Sequence, residues 1–169
     1  MFIIITSFLF ATLIFFMLLA LWWGAPLVPS KPQVARRMIE LLQLKPGERF
    51  YDLGSGDGQL LILASRQGAM SIGIEMNPYV WLLSYIRVFL SGYLTRTQII
   101  FGNYWHVHLK SADALVIYAL PTVMSKVADK FKKECKKGTR IVSNSFQIPG
   151  LILVKEEKVG ADRIFLYRI

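Results

Sequence analysis

The apolar residues divide the chain into two unlike parts, and the first part is almost entirely apolar. The segment from Phe2 to Trp23 contains no charged residue, and its apolar character runs all round a helix rather than along one stripe. At a rise of ~1.5 Å per residue, a helix of this length would be roughly 33 Å long and could cross a bilayer. A signal peptide would need a basic start and a small-residue cleavage site, and neither is evident. The pattern predicts a transmembrane helix over residues 1–24, with a buried core helix as the alternative.

A proline-rich segment follows, and we expect an extended linker over residues 25–32, because prolines restrict the backbone. Residues 33–169 then form one domain of ordinary size. Its first helix is predicted from Gln33 to Leu42, where apolar residues recur at helical spacing and Ser30 is a candidate N-cap.

Short apolar runs then alternate with helical patterns along the rest of the chain. Helices are predicted over 59–67 and 123–137, and a further helix opens at Asn77-Pro78. The predicted strands cover residues 49–53, 70–75, 98–101, 114–119, 139–143, 151–155 and 164–168. This alternation predicts an α/β fold with a parallel sheet, closed by a terminal hairpin.

The charges lie entirely in the second part, where the formal net charge is +9. Lys31, Arg36 and Arg37 follow the apolar segment and no basic residue precedes it, which predicts that the domain faces the cytoplasm or a matrix-like compartment. A basic domain can attract anionic lipid, nucleic acid or an acidic substrate. Four lysines, at positions 126, 130, 133 and 137, form a predicted solvated helix face without interleaved aromatic residues, so no nucleic-acid partner is expected.

The most informative motif is the glycine-rich run from Tyr51 to Gly58, YDLGSGDG, between a predicted strand and a predicted helix. Glycine permits positive φ and close approach of a ligand, and the first amides of a helix attract negative charge. Dinucleotide binding would need the spacing GxGxxG, whereas this run has GxGxG with Asp52 and Asp57 beside it. Those carboxylates would repel a pyrophosphate and favour a cofactor that carries an amino group. A structural turn without a ligand is the other alternative.

This run resembles motif I of the class I S-adenosylmethionine (SAM) methyltransferases. The resemblance implies a Rossmann-like, seven-stranded α/β sheet whose last strand inserts antiparallel, with SAM as cofactor and S-adenosylhomocysteine as product. It also implies that Glu75 binds the ribose, that Met76 flanks the adenine beside the helix cap Asn77, and that Asn103 contacts the adenine amino group. The candidate cofactor-binding residues are Tyr51, Asp52, Gly54, Ser55, Gly56, Asp57, Gly58, Glu75, Met76, Asn77, Asn103 and Tyr104.

The methyl acceptor is expected beside the strand that ends near Tyr118. Aromatic rings can hold a cationic group, so Tyr104, Trp105 and Tyr118, together with Pro121, are the catalytic candidates. An Asn or Asp followed by Pro-Pro-aromatic, typical of DNA amino-methylating enzymes, is absent here, which disfavours a DNA base as substrate. His106 and His108 lack a third ligand residue nearby, and no metal site is predicted.

A closer resemblance covers nearly the whole chain. The order of apolar segment, Val28-Pro29-Ser30, the run MIELL, then YDLGSGDG and GIEMNP is similar to the ATP synthase c-subunit lysine N-methyltransferase family and its prokaryotic lysine-methylating relatives. It implies a membrane-anchored protein-lysine methyltransferase. The net charge would repel a lysine-rich substrate surface, so an acidic or membrane-embedded protein is the expected partner. A lipid or small-molecule methyltransferase and a non-catalytic, membrane-anchored SAM-binding protein are the alternatives.

Overall fold

A computed structural model describes the backbone of residues 2–22 and 30–169, with side chains over 5–15 and 30–169. The first helix, α1, spans Phe2–Trp22, and large apolar side chains between Ile5 and Phe15 are exposed on it. Within these described residues, no helix was found that has the length and apolar character needed to span a membrane. The predicted transmembrane helix is therefore not confirmed. Trp23 and the predicted linker as far as Pro29 lie outside the described residues.

Seven strands form one sheet in the order β3-β2-β1-β4-β5-β7-β6. The first five strands are parallel, and β7 inserts antiparallel between β5 and β6. This arrangement confirms the predicted seven-stranded α/β sheet and the antiparallel position of the last strand. The strands are β1 Arg49–Leu53, β2 Met70–Glu75, β3 Thr97–Phe101, β4 Ala114–Ile117, β5 Arg140–Asn144, β6 Ile152–Val159 and β7 Asp162–Arg168.

Helices cover both faces of the sheet, and each face has its own apolar core. The helices after α1 are α2 Pro32–Leu42, α3 Gln59–Arg66, α4 Pro78–Leu90 and α5 Met124–Glu134. Buried residues of α2 and α3 pack with one face of the sheet around Phe50. Those of α5 pack on the other face around Leu115. Helix α4 lies beside α3 and contacts β2 and β3.

Two local predictions are wrong. Ser30 does not cap α2: the N-cap position is Lys31, without a side-chain cap, and the Ser30 hydroxyl accepts a hydrogen bond from Asn144 at 3.1 Å. The lysines of α5 do not all face solvent either. Lys130 is buried along its length, and its ammonium donates to the carbonyls of Trp105 and Val107 and to Glu134. A long lysine side chain can satisfy three acceptors at a helix surface, which hydrophobic periodicity does not reveal.

The glycine-rich run is fixed against β2 by close backbone contact. The amides of Gly54 and Ser55 both donate to the Ile74 carbonyl at 3.0 Å. One residue earlier in β2, Gly73 leaves the room for this approach: a Cβ there would lie 2.5 Å from Leu61 Cδ1 and 2.8 Å from Ser55 Cβ. The absence of a side chain at Gly73 therefore lets the turn and α3 pack onto the strand.

We expect Gly73→Ala to destabilise the domain by about 1–3 kcal/mol, since the added methyl overpacks the contact between β2 and the turn. Gly102→Ala is the matched control, because its Cβ would have only Ile100 within reach, at 4.0 Å. The control should change stability by less than about 0.5 kcal/mol. Urea unfolding of both variants measures this difference, and equal midpoints would contradict the role assigned to Gly73.

Candidate active site

The turn between β1 and α3 lies at the carboxyl edge of the parallel strands, where open α/β sheets bind ligands. Gly54, Gly56 and Gly58 have φ values of 90°, 52° and 77°, a region that glycine adopts without strain. Gly58 is the N-cap of α3, and a Cβ on it would lie 2.5 Å from the Ser84 hydroxyl of α4. The expected positive φ is thus visible at all three glycines, and Gly58 also allows α3 and α4 to pack closely.

The Glu75 carboxylate, at the end of β2, holds three backbone segments together. Oε2 accepts from the Gly56 amide at 2.9 Å, and Oε1 accepts from the amides of Met76 and Asn77 at 2.9 and 2.8 Å. Burial raises the pKa of Glu75, although these hydrogen bonds oppose the shift. A carboxylate offers about four acceptor positions, so one on Oε2 is left for an outside donor. A substitution at Glu75 would disturb the turn as well as any ligand.

The Asp52 carboxylate, on β1, is buried without a neutralising partner. Its residue is 3% exposed, and no donor among the described residues forms a hydrogen bond with it. Burial raises the pKa of Asp52 well above its usual value, and repulsion from Glu75 and Asp57 adds to the effect. Removing a carboxylate from water is costly unless a positive group compensates. The site is therefore suited to a ligand that brings a cationic group.

Asp57 differs from Asp52 because its charge is already paired. Arg87 of α4 forms an ion pair with one carboxylate oxygen, and the Gln59 amide donates to the other at 3.1 Å. Arg87 was not among the residues predicted for the site. A lone basic residue within the apolar α4 sequence was the available signal.

Asn77 and Tyr51 both serve the fold. Asn77 is fully buried, and its Oδ1 caps α4 by accepting from the amides of Tyr79 and Val80 at 3.0 and 3.2 Å, as predicted for a helix cap. The Tyr51 hydroxyl is 2.9 Å from that of Ser111, which precedes β4. It points toward the amino-terminal edge of the sheet, so the structure does not bring this ring to the glycine turn. Met76 is half-buried directly after Glu75.

A short 3-10 turn at Tyr104–His106 follows β3 and carries two of the aromatic candidates. Asn103 caps it: its Oδ1 accepts from the Trp105 amide at 3.0 Å, which occupies one of the two acceptor positions of this oxygen. The Tyr104 and Trp105 ring centroids are 4.9 Å apart. Burial raises the pKa of Tyr104 to about 12, so its hydroxyl is protonated at neutral pH.

Two lysines of α5 fix the position of Trp105. The Lys126 ammonium lies 4.7 Å from the centroid of the indole ring, a cation–π distance, and the buried Lys130 donates to the Trp105 carbonyl at 3.2 Å. His106 also lies in this 3-10 turn. The lysines that resembled a solvated face therefore help to order this aromatic segment.

Tyr118, directly after β4, belongs to a separate ring pair. It stacks on Phe146 with centroids 6.3 Å apart and an interplanar angle of 26°. Phe146 follows β5, and its carbonyl accepts from the Ser143 hydroxyl at 2.6 Å. Phe146 was not predicted for the site, although an aromatic residue in a polar segment after a strand was a usable signal. Pro121 is exposed and begins a 3-10 turn before α5.

Comparison with known proteins identifies the family of this chain. The profile of the ANTKMT methyltransferase domain matches residues 52–155, which is more than half of the chain. The chain belongs to this family. The match includes the glycine turn, Glu75 and both aromatic pairs, so the family resemblance inferred from the sequence is confirmed.

Curated relatives with this domain include proteins named for lysine methylation. A protein-lysine N-methyltransferase of Saccharolobus islandicus is 32% identical over 127 residues, covering 74% of this chain and 79% of that protein. The ATP synthase c-subunit lysine N-methyltransferase of Xenopus laevis is 25% identical, covering 84% of this chain and 62% of the relative. The adenine nucleotide translocase lysine N-methyltransferase of Mus musculus is 28% identical, covering 85% of this chain and 63% of the relative. The chain thus spans less than two thirds of these two vertebrate proteins.

Solved structures agree with the fold and the cofactor. An RNA methyltransferase from Salinibacter ruber, in complex with S-adenosylhomocysteine, superposes with a TM-score of 0.81 at 27% identity over 84% of this chain and 94% of that one. A precorrin-6y C5,15-methyltransferase from Geobacter metallireducens has a TM-score of 0.69 and covers 83% of this chain and 89% of its own. Its sequence identity is 13%, so this similarity supports the fold alone. This member of the family is a SAM-dependent methyltransferase.

The residues at the glycine turn fit this cofactor. SAM carries a positive sulfonium and an amino group, and Asp52 is a buried carboxylate that lacks a positive partner among the described residues. A negatively charged pyrophosphate would add to the repulsion already present between Asp52, Asp57 and Glu75. The negative charge of the turn therefore favours SAM over a dinucleotide cofactor, which carries a pyrophosphate.

We expect Asp52→Asn to weaken SAM binding about tenfold or more, because it removes a hydrogen bond to a charged group. Without SAM, the variant should be more stable than the parent chain. The pKa of Asp52 is raised on folding, so the charged carboxylate begins to destabilise the fold as pH rises above its unfolded value, near ~3.9, and does so fully above the folded pKa. Thermal unfolding and SAM titration across pH measure both effects.

Asp57→Asn is the control for this experiment, because Asp57 is already paired with Arg87. It should produce no gain in stability at high pH. In the parent chain, SAM affinity should fall as pH decreases through the raised pKa of Asp52, and this dependence should be lost in Asp52→Asn. An Asp52→Asn protein with unchanged SAM affinity would contradict the assignment.

Proposed function

We propose that this protein transfers a methyl group from SAM to the side-chain amine of lysine in a protein substrate. The observation that carries this proposal is the 32% identity to a protein named as a protein-lysine N-methyltransferase, over most of both chains. Two further relatives named for lysine methylation match 84% and 85% of the chain. The aromatic pairs at the carboxyl edge of the sheet suit a cationic side chain.

Asp52, Glu75 and Asn103 would bind the cofactor in this proposal. SAM supplies a methyl group activated by its sulfonium and leaves as S-adenosylhomocysteine. The Asp52 carboxylate is suited to the amino group, and the free acceptor position of Glu75 to a ribose hydroxyl. Asn103 follows β3, and the second acceptor position of its Oδ1 is suited to the adenine amino group. The glycine turn and Met76 form the adjoining backbone, and Ser55 supports the turn from its buried position.

The acceptor amine must lose a proton before it can react, since the free pKa of lysine is near ~10.4. A partly dehydrated aromatic environment lowers that pKa and also binds the cationic form before deprotonation. Tyr104 and Trp105 on one side, and Tyr118 with Phe146 on the other, provide such surfaces. Tyr104 contributes its ring and a protonated hydroxyl, because its pKa of about 12 prevents it from acting as a base at neutral pH. Pro121 limits the acceptor side next to Tyr118.

RNA is a second candidate acceptor, favoured by two observations. The Salinibacter ruber protein, titled an RNA methyltransferase, shares 27% identity and a TM-score of 0.81 with this chain. The net charge of +9 also suits a polyanion. Lipid or another small molecule is the remaining acceptor class. Each class predicts a different labelled product.

We expect the purified full chain, incubated with methyl-labelled SAM and a cell extract, to label protein at lysine. Mass spectrometry of the labelled proteins would locate the methyl group, and separate extraction of lipid and RNA would measure the other two classes. Asp52→Asn at the same SAM concentration is the control, and its incorporation should fall about tenfold. Label in RNA or lipid, with protein unlabelled at lysine, would overturn the lysine proposal while leaving the methyltransferase assignment intact.

We also propose that residues 1–24 attach the chain to a membrane, that residues 25–32 act as a linker and that the catalytic domain lies on the cytoplasmic or matrix-like side. Support comes from the uncharged sequence of this segment and from the exposed apolar side chains between Ile5 and Phe15. The basic residues Lys31, Arg36 and Arg37 follow it directly.

Deletion of residues 1–29 should leave a folded domain that still binds SAM. Among the described residues, the buried apolar core begins at Val34, so the deletion removes none of it. In membranes washed with alkaline carbonate, the full chain should be retained and the shortened chain released. Circular dichroism checks folding, and a shortened chain that fails to fold, or that resists extraction, would contradict this proposal.

A further inference from the structure

Helix α4 has an exposed apolar face that the fold does not use. A surface helix of a soluble domain ordinarily directs its apolar residues to the core. In α4 the fully buried positions are Ser84 and Val88, whereas several large apolar residues face outward. These residues and their exposed fractions are Leu82 50%, Leu83 54%, Tyr85 42%, Ile86 46%, Phe89 62% and Leu90 76%.

These side chains form one continuous surface. Leu82, Ile86 and Phe89 follow each other at helical spacing, and the other three flank them. The surface extends to the end of β3, because the Trp81 ring lies 6.0 Å from Tyr85 and 6.1 Å from Phe101, which is 53% exposed. We call the six α4 residues and Phe101 the α4 patch. Contiguous apolar surfaces of this kind mark sites of contact with proteins or membranes.

The chain before and after α4 carries few acidic residues. Between Gly58 and Ala112 the sequence contains a single acidic residue, Glu75, which is buried. The same stretch carries four basic residues, namely Arg66, Arg87, Arg96 and Lys110. Arg87 is paired with Asp57 from outside the stretch. The segment that contains α4 therefore has an excess of basic residues, as the whole chain does with its net charge of +9, and this excess is complementary to anionic lipid headgroups.

Helix α4 also contacts α1, which has exposed apolar side chains of its own. The Tyr79 hydroxyl, in the first turn of α4, donates to the Leu9 carbonyl of α1 at 3.3 Å. Next to this contact, Phe8 and Phe10 are 71% and 65% exposed.

We propose that the α4 patch docks on the surface of an anionic lipid bilayer. In this arrangement α4 lies in the membrane interface as an amphipathic helix does, with its apolar side chains among the headgroups and upper acyl chains. A second copy of the chain is a poorer occupant, because pairing two α4 surfaces would bring their basic surroundings together. Lipid accommodates both the apolar stripe and the charge.

Docking through α4 has a consequence for the active site. Helix α4 begins at Pro78, two residues after Met76 and three after Glu75, at the carboxyl edge of the sheet. The cofactor turn would then lie close to the plane of the bilayer. Acceptors held at the membrane surface would reach the site more readily than those in bulk solvent. The docking itself does not depend on which acceptor class is correct.

The test uses the full chain with an environment-sensitive NBD fluorophore at Ile86→Cys. The native thiol is not expected to compete for the label, because Cys135 is buried and burial raises its pKa to about 12. With vesicles of phosphatidylcholine and phosphatidylserine, NBD emission should shift to the blue, rise severalfold and be quenched by doxyl-labelled lipid. Vesicles of phosphatidylcholine alone should give a smaller change, because the basic surface contributes to docking.

Lys133→Cys, on the exposed face of α5, is the matched control and should show no quenching. Unchanged NBD emission at position 86 in the presence of anionic vesicles would overturn the proposal, whether or not the protein co-sediments with them. Equal quenching at both positions would also overturn it. If the blue shift occurs without vesicles and grows with protein concentration, the α4 patch binds a second copy of the chain, and the lipid proposal is overturned.

Discussion

The arrangement of this domain around its cofactor site depends on one buried carboxylate, that of Glu75. By accepting three backbone hydrogen bonds it connects the glycine turn after β1 with the segment that opens α4. The turn would otherwise leave amides unpaired at the edge of the sheet, which is costly when they are buried. The same interaction brings α4 next to the turn, so the cofactor site and the exposed apolar face share one fixed frame.

Asp52 is also a buried carboxylate, but it differs from Glu75 in its hydrogen-bond partners. Glu75 is surrounded by amide donors, whereas Asp52 lies between other carboxylates and has no donor among the described residues. Such a group destabilises the free fold and is compensated only when a positive ligand binds. Arg87 neutralises Asp57, whereas no basic residue among those described pairs with Asp52. The site therefore favours a cationic cofactor by an electrostatic imbalance built into the fold.

Much of the fold followed from local patterns. The limits predicted for β1 and β2 agree with the structure, because apolar runs bounded by Gly, Pro and charged residues allow few alternatives. The glycine spacing and its flanking carboxylates indicated a cofactor with an amino group, because they would repel a pyrophosphate, and the resemblance to motif I implied that this cofactor is SAM. The predictions were wrong where a polar side chain had more than one available hydrogen-bond partner. Ser30 bonds to Asn144 rather than capping α2, and Lys130 turns inward toward the aromatic segment.

The sequence by itself determined the alternation of strands and helices, the glycine turn and the chemistry of its cofactor, because these depend on neighbouring residues and on glycine's backbone freedom. Tertiary structure alone decided which charges are neutralised and which rings meet. Arg87 reaches Asp57 across 30 residues, and Phe146 reaches Tyr118 from the segment that follows β5. It also decided that the apolar residues of α4 face outward, since hydrophobic periodicity cannot tell a core-facing stripe from an exposed one when no neighbouring element covers it.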